Sequence, residues 1–243
     1  TGGDAALQSK FGNTTNWASA TTALLQQYGF NGAGSWSDID HLKDVSDPLV
    51  YTVKARFLAA YTQIHGATGY PRVFDAAFET FCQSHAQTFS GMENDPYLLG
   101  YFSDNELNFP TALLTTWLGS PGAGSGYDEA WSWLRDRYGA GAVTNDVTLQ
   151  DQYDFLGHVW AEYSRLVSQA IQSVDTNHLY LGSRLYGSNK SRPEIFQAIG
   201  SYVDVVSVNY YGEWTPDIDQ MQMWETESGR PVMISEFYVK GED

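Results

Sequence analysis

The sequence predicts an α/β fold, specifically a (β/α)8 TIM barrel whose first and last strands lie outside the 243 residues. Strand-like segments alternate with helical patterns along the chain, which is typical of right-handed βαβ units and a parallel sheet. Polar and aromatic residues follow directly after the strands, where the carboxyl ends of barrel strands form one face. A doubly wound nucleotide-binding sheet is disfavoured, because no glycine-rich phosphate loop follows any strand.

Six strands are predicted from runs of apolar, β-branched and aromatic residues bounded by turn-forming residues. In chain order they are Phe30–Trp36, Leu49–Phe57, Leu98–Phe102, Leu179–Arg184, Val203–Val208 and Pro231–Ser235. The chain starts on a helix and ends just after a strand. We therefore expect these six to be strands two to seven of the barrel.

Helical patterns lie between the strands. They cover Thr14–Tyr28, Phe74–Phe89, Gln150–Val174, Pro193–Ile199 and Asp217–Glu227. Gly29 is a stop signal for the first of these helices, and Asp75 is the expected N-cap of the second. A loop is expected from the end of the second strand through Pro71, since Gly66 and Gly69 precede that proline.

Residues 110–150 are too long for a plain loop. They contain a segment rich in Gly, Ser and Pro and a helical segment, YDEAWSWLRDRYG. This predicts an insertion between the fourth strand and its helix, near the entrance of the site. Because no internal repeat or low-complexity linker interrupts the chain, residues 1–243 are predicted to be one catalytic domain.

Composition restricts the possible partners. The chain has 13 basic and 29 acidic residues, for a formal net charge of −16, which disfavours binding to the polyanions DNA and RNA. Aromatic residues make up 15% of the chain, and exposed rings can stack on sugar faces.

Cys82 is the single cysteine and is expected to be buried. No apolar run approaches the length of a membrane span, and no signal peptide opens the chain.

Two glutamates end separate predicted strands. Glu106 follows the strand Leu98–Phe102 and is preceded by Asn105, while Glu236 ends the last strand. Two carboxyl groups held on different strand ends are the minimal apparatus of glycoside hydrolysis. Asp104 precedes this pair, and on a strand its side chain points opposite to that of Asn105. We therefore expect Asp104 to be structural.

The arrangement resembles the retaining glycoside hydrolases of clan A, in which an Asn-Glu pair ends strand four and a lone Glu ends strand seven. If Phe30–Trp36 is strand two, the two glutamates of this chain fall on the same strands. Within that clan, the phrases GFNGAGSWSD, RVFDAAFE, LLGYFSDNEL and PVMISEFYVKGED resemble the β-agarases of glycoside hydrolase family fifty. The likeness extends from about Phe11 to the end of the chain.

The resemblance implies roles for particular residues. Glu106 would be the acid/base, and Glu236 the nucleophile that forms a covalent glycosyl-enzyme. Asn105 would donate a hydrogen bond to the sugar 2-hydroxyl, and Tyr210 would hydrogen-bond Glu236 and hold it ionised. Arg184 ends a strand, so it either positions Glu236, binds substrate or forms an ordinary ion pair.

Further residues are candidates for sugar binding. The aromatic candidates for stacking platforms are Trp36, Phe109, Tyr186, Trp214 and Tyr238, although buried rings also fill cores. The five histidines have no metal-ligand spacing, so we expect no metal and no cofactor.

The expected activity is that of a secreted or periplasmic retaining β-glycosidase that acts on a galactan such as agarose. The expected partners are oligosaccharides or polysaccharides, with no nucleic acid and no membrane. Two alternatives stay open. One is another clan A specificity, such as that of a β-galactosidase or a β-mannanase. The other is a carbohydrate-binding barrel that has lost catalysis, which the retention of both glutamates disfavours.

Overall fold

Parallel strands alternate with helices in the computed structural model, which describes residues 2–66, 71–212 and 214–238. The chain divides into two units, one of residues 1–53 and 94–100 and the other of residues 54–93 and 101–243. None of the helices within the described ranges is long and apolar enough to cross a bilayer.

The first unit is built from three helices and a short parallel strand pair. Its elements are α1 (Gly2–Phe11), α2 (Thr14–Gln27), β1 (Gly32–Ala33), α3 (Ile39–Leu42) and most of β2 (Val50–Lys54). Helix α2 begins after Asn13, whose side chain accepts a hydrogen bond from the Asn16 amide at 2.8 Å. Gly29, with a φ of 82°, follows the end of this helix. Strand β1 pairs in parallel with β2.

The second unit is mostly helical and is packed around one long helix. Its helices are α4 (Phe57–His65), α5 (Ala76–Ala86), α6 (Leu113–Leu118), α7 (Ser125–Tyr138), α8 (Leu149–Gln172), α9 (Pro193–Ile199) and α10 (Ile218–Ser228). A capping box of Thr148 and Asp151 starts α8. This helix packs against α5, α6 and α9, and it fully buries Phe155, Val159 and Tyr163.

Strands of the second unit lie side by side in chain order. They are the end of β3 (Leu98–Phe102), then β4 (Leu179–Tyr180), β5 (Val206–Tyr211) and β6 (Val232–Tyr238). The Leu181 amide donates to the Tyr101 carbonyl at 2.9 Å, which joins β4 to β3. The Leu185 amide donates to the Ser207 carbonyl at 2.9 Å, and β5 pairs in parallel with β6. The carboxyl ends of these strands therefore share one edge.

Several predicted elements are confirmed within one or two residues. The strand Leu98–Phe102 and the helix Pro193–Ile199 have the expected bounds, and the helix expected at Gln150–Val174 is α8. Residues 110–150, which are predicted to be an insertion, contain the expected helix, α7, and also the short helix α6.

Other bounds are corrected by the structure. The first predicted strand is reduced to Gly32–Ala33, and α4 occupies much of the region expected to be a loop. Two of the first amides of α4 donate to the carboxylate of Asp104, which is distant in sequence and stabilises the amino end of this helix. Asp75 stands at the expected N-cap of α5, but its side chain makes no capping hydrogen bond. It accepts instead from the hydroxyl of Ser125 at 2.5 Å.

The last two strands extend further than the sequence indicates. Strand β5 runs to Tyr211 rather than ending at Val208, and β6 continues through Glu236 to Tyr238. Glu236 therefore lies within a strand rather than just beyond its end. The described strands establish a parallel α/β architecture, and closure into an eight-stranded barrel stays a prediction.

Candidate active site

Glu106 leaves the end of β3 in an unusual backbone conformation. Its φ of 52° lies in the left-handed region, which non-glycine residues rarely adopt. The Glu106 amide donates to the Arg184 carbonyl at 3.0 Å, and Asn105 forms a parallel bridge with Arg184. The chain after β4 therefore holds the Asn-Glu pair in place. Strained backbone of this kind is often found at functional sites.

Arg184 connects the two segments of chain that carry the candidate carboxylates. Its side chain is only 1% exposed. One guanidinium nitrogen donates to the Asn105 side chain at 2.5 Å, and another donates to Glu236 at 2.6 Å and to the Ser235 carbonyl at 2.9 Å. Of the predicted roles for Arg184, positioning of Glu236 fits this geometry. Direct substrate binding does not, because the side chain is buried.

Glu236 is more accessible than its partner arginine, with 32% of its side chain exposed. Oε2 accepts from Arg184, and Oε1 accepts a hydrogen bond from the hydroxyl of Tyr211. Burial and the hydrogen bond to Glu236 raise the pKa of Tyr211 well above its usual value, and the charge of Glu106 adds to the increase.

The tyrosine predicted to bind Glu236 was the wrong one of two neighbours. Tyr210 is buried, and its hydroxyl accepts a hydrogen bond from the Asp217 amide at 2.9 Å. Its ring packs edge-on against Trp224 of α10. Successive side chains alternate between the faces of a strand, so Tyr210 and Tyr211 point in opposite directions. The predicted strand ended at Val208, before both tyrosines, so the prediction could not tell which of them faces Glu236.

Asn209 provides a contact to Glu106 that the sequence did not reveal. It is fully buried in β5, and its side-chain nitrogen donates to Oε1 of Glu106 at 2.9 Å. Its side-chain oxygen accepts from the Ser235 hydroxyl at 2.9 Å. Glu106 is thus linked to the strand that carries Glu236. Asn209 was detectable only as a polar residue at the end of a predicted strand.

Exposed rings lie next to Tyr211. Tyr186 and Tyr238 are both exposed, and their ring centroids are 5.8 Å and 6.0 Å from that of Tyr211. Tyr238 is 55% exposed, and it extends the same strand as Glu236. These two tyrosines form an aromatic surface beside the carboxylates, suited to contact with a sugar ring.

The remaining aromatic candidates differ in their surroundings. Phe109 is buried, and its ring lies 4.7 Å from that of Trp160, so it is a core residue. Trp214 is 72% exposed in the segment after β5. Trp36 is 64% exposed and belongs to the first unit. Participation of either tryptophan in sugar binding stays a prediction.

Asp104 anchors the segment that carries Asn105 and Glu106. Its carboxylate is fully buried and accepts hydrogen bonds from the amides of Leu58 and Ala59, at 2.8 Å and 3.1 Å, and from the Tyr163 hydroxyl at 2.7 Å. Burial raises the pKa of Asp104 to about 6, although these three hydrogen bonds act in the opposite direction. The carboxylate sits at the amino end of α4, where a negative charge is favoured.

Lys54 is a further cation whose charge interacts with that of Glu236. Burial and the positive charges of Arg56 and Arg184 lower the pKa of Lys54, the last residue of β2, while the charge of Glu236 raises it. Among the described residues, no group of three or more His, Cys, Asp or Glu side chains is arranged to hold a metal ion. The described site contains two carboxylates, Glu106 and Glu236, within a hydrogen-bonded polar network.

Comparisons with curated proteins identify relatives among agarases. The chain is 24% identical over 274 residues to "Beta-agarase A" of Vibrio sp. (strain JT0107), an alignment that covers 91% of this chain and 27% of that protein. It is 23% identical over 287 residues to "Beta-agarase B" of the same strain, which covers 98% of this chain and 29% of that protein. No protein-family profile matches the chain.

Solved structures have the same fold. The structure titled "Crystal structure of BpGH50" superposes with a TM-score of 0.81 and 27% identity, over 97% of this chain and 55% of that one. "Structural analysis of an exo-beta-agarase" gives a TM-score of 0.75 at 23% identity, over 96% of this chain and 36% of that one.

Fold and relatives together relate this chain to glycoside hydrolases. Within them, its curated relatives are β-agarases, and its mixed α/β fold is that of family-fifty enzymes. The chain spans less than a third of the length of those curated relatives, 27% and 29%.

Proposed function

We propose that this chain is the catalytic barrel domain of a retaining β-glycoside hydrolase that cleaves a β-linked galactan such as agarose. One observation carries the proposal. Glu106, which follows β3, and Glu236, on β6, are joined by a single network through Asn209, Ser235 and Arg184. A network of this kind can hold two carboxyl groups in fixed positions on either side of a glycosidic bond. The similarity to β-agarases supports a galactan as the substrate.

In the proposed mechanism, Glu106 donates a proton to the glycosidic oxygen while Glu236 attacks the anomeric carbon. The resulting glycosyl-enzyme is then hydrolysed by water that Glu106 deprotonates, so that two inversions retain the configuration. This chemistry requires carboxyl groups about 5–5.5 Å apart. Arg184 and Tyr211 both donate to Glu236, and such donors favour the ionised nucleophile.

The substrate-binding side of the proposal rests on polar and aromatic groups around the carboxylates. Asn105 would donate to the sugar 2-hydroxyl, since Arg184 binds its side-chain oxygen and leaves the amide nitrogen directed elsewhere. Tyr238 would stack on a sugar ring, and Trp214 would extend the binding surface. Because the relatives are polysaccharide-degrading enzymes by name, we propose a secreted or periplasmic location.

The test is hydrolysis by the purified chain of agarose and of a chromogenic β-galactoside, side by side. We expect reducing ends to be released from agarose, and Glu106→Gln and Glu236→Gln each to reduce the rate by at least about 100-fold. Glu225→Gln, on the exposed side of α10, is the matched control and should retain full activity. Binding of agaro-oligosaccharides without turnover would favour the non-catalytic alternative. Turnover of other β-glycosides alone would favour another clan A specificity.

A further inference from the structure

We infer that Asn209 is a positioning residue for Glu106, and that an irregularity of strand β6 at Ser235 holds Asn209 in this role. The inference rests on the proposed function, in which Glu106 is the acid/base. It adds a residue and a physical reason that the paired glutamates by themselves do not require.

The geometry begins with the two contacts of the Asn209 side chain. Its nitrogen donates to Oε1 of Glu106 at 2.9 Å, and its oxygen accepts from the Ser235 hydroxyl at 2.9 Å. Asn209 is fully buried, so neither end of the amide can turn to bulk water instead. The amide therefore bridges the segment that carries the acid and the strand that carries Glu236.

The carboxylate of Glu106 selects the nitrogen end of the amide, and the Ser235 hydroxyl binds the oxygen end. An ionised carboxylate can only accept hydrogen bonds, whereas a serine hydroxyl can donate one to the amide oxygen. Both contacts are satisfied together by one orientation, in which nitrogen faces Glu106 and oxygen faces Ser235. Without the Ser235 hydroxyl, the buried amide oxygen would lose this hydrogen-bond donor, and the side chain of Asn209 would be held less firmly beside Glu106.

A register shift in the sheet brings these groups together. Val208 pairs with Ile234, but the next residue, Asn209, pairs with Glu236, so Ser235 is the additional residue of a bulge in β6. Bulges redirect side chains and often occur next to active sites. Here the bulge allows both Ser235 and Glu236 to lie beside Asn209. Without the bulge, Asn209 would pair with Ser235, and Glu236 would pair with Tyr210 instead of with Asn209.

The contact also assigns the two oxygens of Glu106 different tasks. Oε1 accepts from the Asn209 nitrogen, and an oxygen that accepts this hydrogen bond is the less favourable place for the acidic proton. The proton is therefore directed to Oε2. The backbone of Glu106 is in the left-handed region, which is rarely populated by residues other than glycine. The hydrogen bond from Asn209 fixes the side chain of Glu106 and therefore the direction in which Oε2 points. Asn209 thus orients proton donation to the leaving group.

Loss of a correctly oriented acid has a characteristic kinetic signature. General acid catalysis matters most when the leaving group is a poor one, and little when the leaving group is an activated phenol. The quantity to measure is kcat/KM, which reports the first irreversible step. A general loss of folding or of Glu236 geometry would slow all leaving groups by a similar factor.

The experiment compares Asn209→Ala, Ser235→Ala and Ser207→Ala in the full chain, on agaro-oligosaccharides and on a series of aryl β-galactosides. For Asn209→Ala we expect kcat/KM to fall about 100-fold with poor leaving groups and less than about threefold with dinitrophenyl galactoside. Ser235→Ala should give a smaller loss, about tenfold, with the same dependence on the leaving group. Ser207, also buried in β5, donates to the Leu181 carbonyl at 2.7 Å and contacts neither glutamate, so it is the matched control.

The outcomes separate this inference from the proposed function. The inference would be overturned if Asn209→Ala and Ser235→Ala both lose the same factor for all leaving groups, or if neither loses activity. In either case, hydrolysis by the wild-type chain would still support the proposed function. A wild-type chain that hydrolyses none of these substrates would overturn the proposed function, and the inference with it. If Asn209→Ala does not fold, Ser235→Ala alone decides, since it leaves the buried amide in place.

Discussion

The phenol of Tyr211 donates a hydrogen bond to Oε1 of Glu236, and Arg184 binds the other oxygen of the same carboxylate. A carboxylate with a donor on each oxygen has little freedom to rotate, and its ionised form is favoured. Tyr211 lies on β5 and Arg184 lies in the chain after β4, so the position of Glu236 depends on how these two segments pair with their neighbours.

The two adjacent tyrosines provide a direct mutational test of this arrangement. We expect Tyr211→Phe to lower kcat about 10- to 100-fold, the size of one hydrogen bond to a charged group. Tyr210→Phe should keep kcat within about threefold, because its hydroxyl binds the Asp217 amide instead. The measurement is steady-state kinetics of both variants on the same substrate. Equal losses would mean that the tyrosines share one structural role.

Azide should distinguish the two glutamates. In Glu106→Ala, azide can attack the accumulated glycosyl-enzyme without a base, so it should restore turnover of an activated aryl β-galactoside and give the β-glycosyl azide. In Glu236→Ala, azide can replace the missing nucleophile directly and should give the α-anomer. The anomers are identified by proton NMR. If the products are exchanged between the variants, the two roles are reversed.

The buried carboxyl group of Asp104 should make the free energy of unfolding depend on pH. Its folded-state pKa of about 6 lies above the ordinary aspartate value of 3.8, so the folded protein holds a proton that the unfolded chain has released between these two pH values. Stability contributed by this group is therefore present below about pH 4 and is lost as the pH rises to 6, by at most roughly 3 kcal/mol. Urea unfolding of wild type and Asp104→Asn at pH 4, 5, 6 and 7 measures the difference. A wild-type advantage that grows with pH across this range would contradict the assignment.

Gly200 should not tolerate a side chain. A Cβ at this position would stand 2.2 Å from the Ser228 carbonyl oxygen, where α9 and α10 approach each other. We expect Gly200→Ala to cost about 1–3 kcal/mol, because a backbone atom cannot move aside cheaply. For a domain of this size that lowers Tm by roughly 3–10 °C. Gly141→Ala is the control, since a Cβ there would meet nothing within 4 Å, and calorimetry should find its Tm nearly unchanged.

Local sequence patterns determined the order of the elements and the identity of the two candidate carboxylates. Glu106 and Glu236 could be found because apolar strand runs end in polar residues, a signal carried by neighbours along the chain. Helix α9 was predicted with its observed bounds, and its ends agree with local signals, since Pro193 begins it and Gly200 follows it. The structural expectation for Asp104 also followed from the alternation of side chains on a strand.

Tertiary structure decided which side chains meet those carboxylates. The choice of Tyr211 over Tyr210 depends on the register of β5 against β6, and a register shift by one residue reverses the face on which every later side chain lies. Arg184 could have bound substrate or Glu236, and its burial beside β6 selected Glu236. Hydrogen bonds between distant strands set these relationships, and no local pattern of residues encodes the phase at which two separated strands pair.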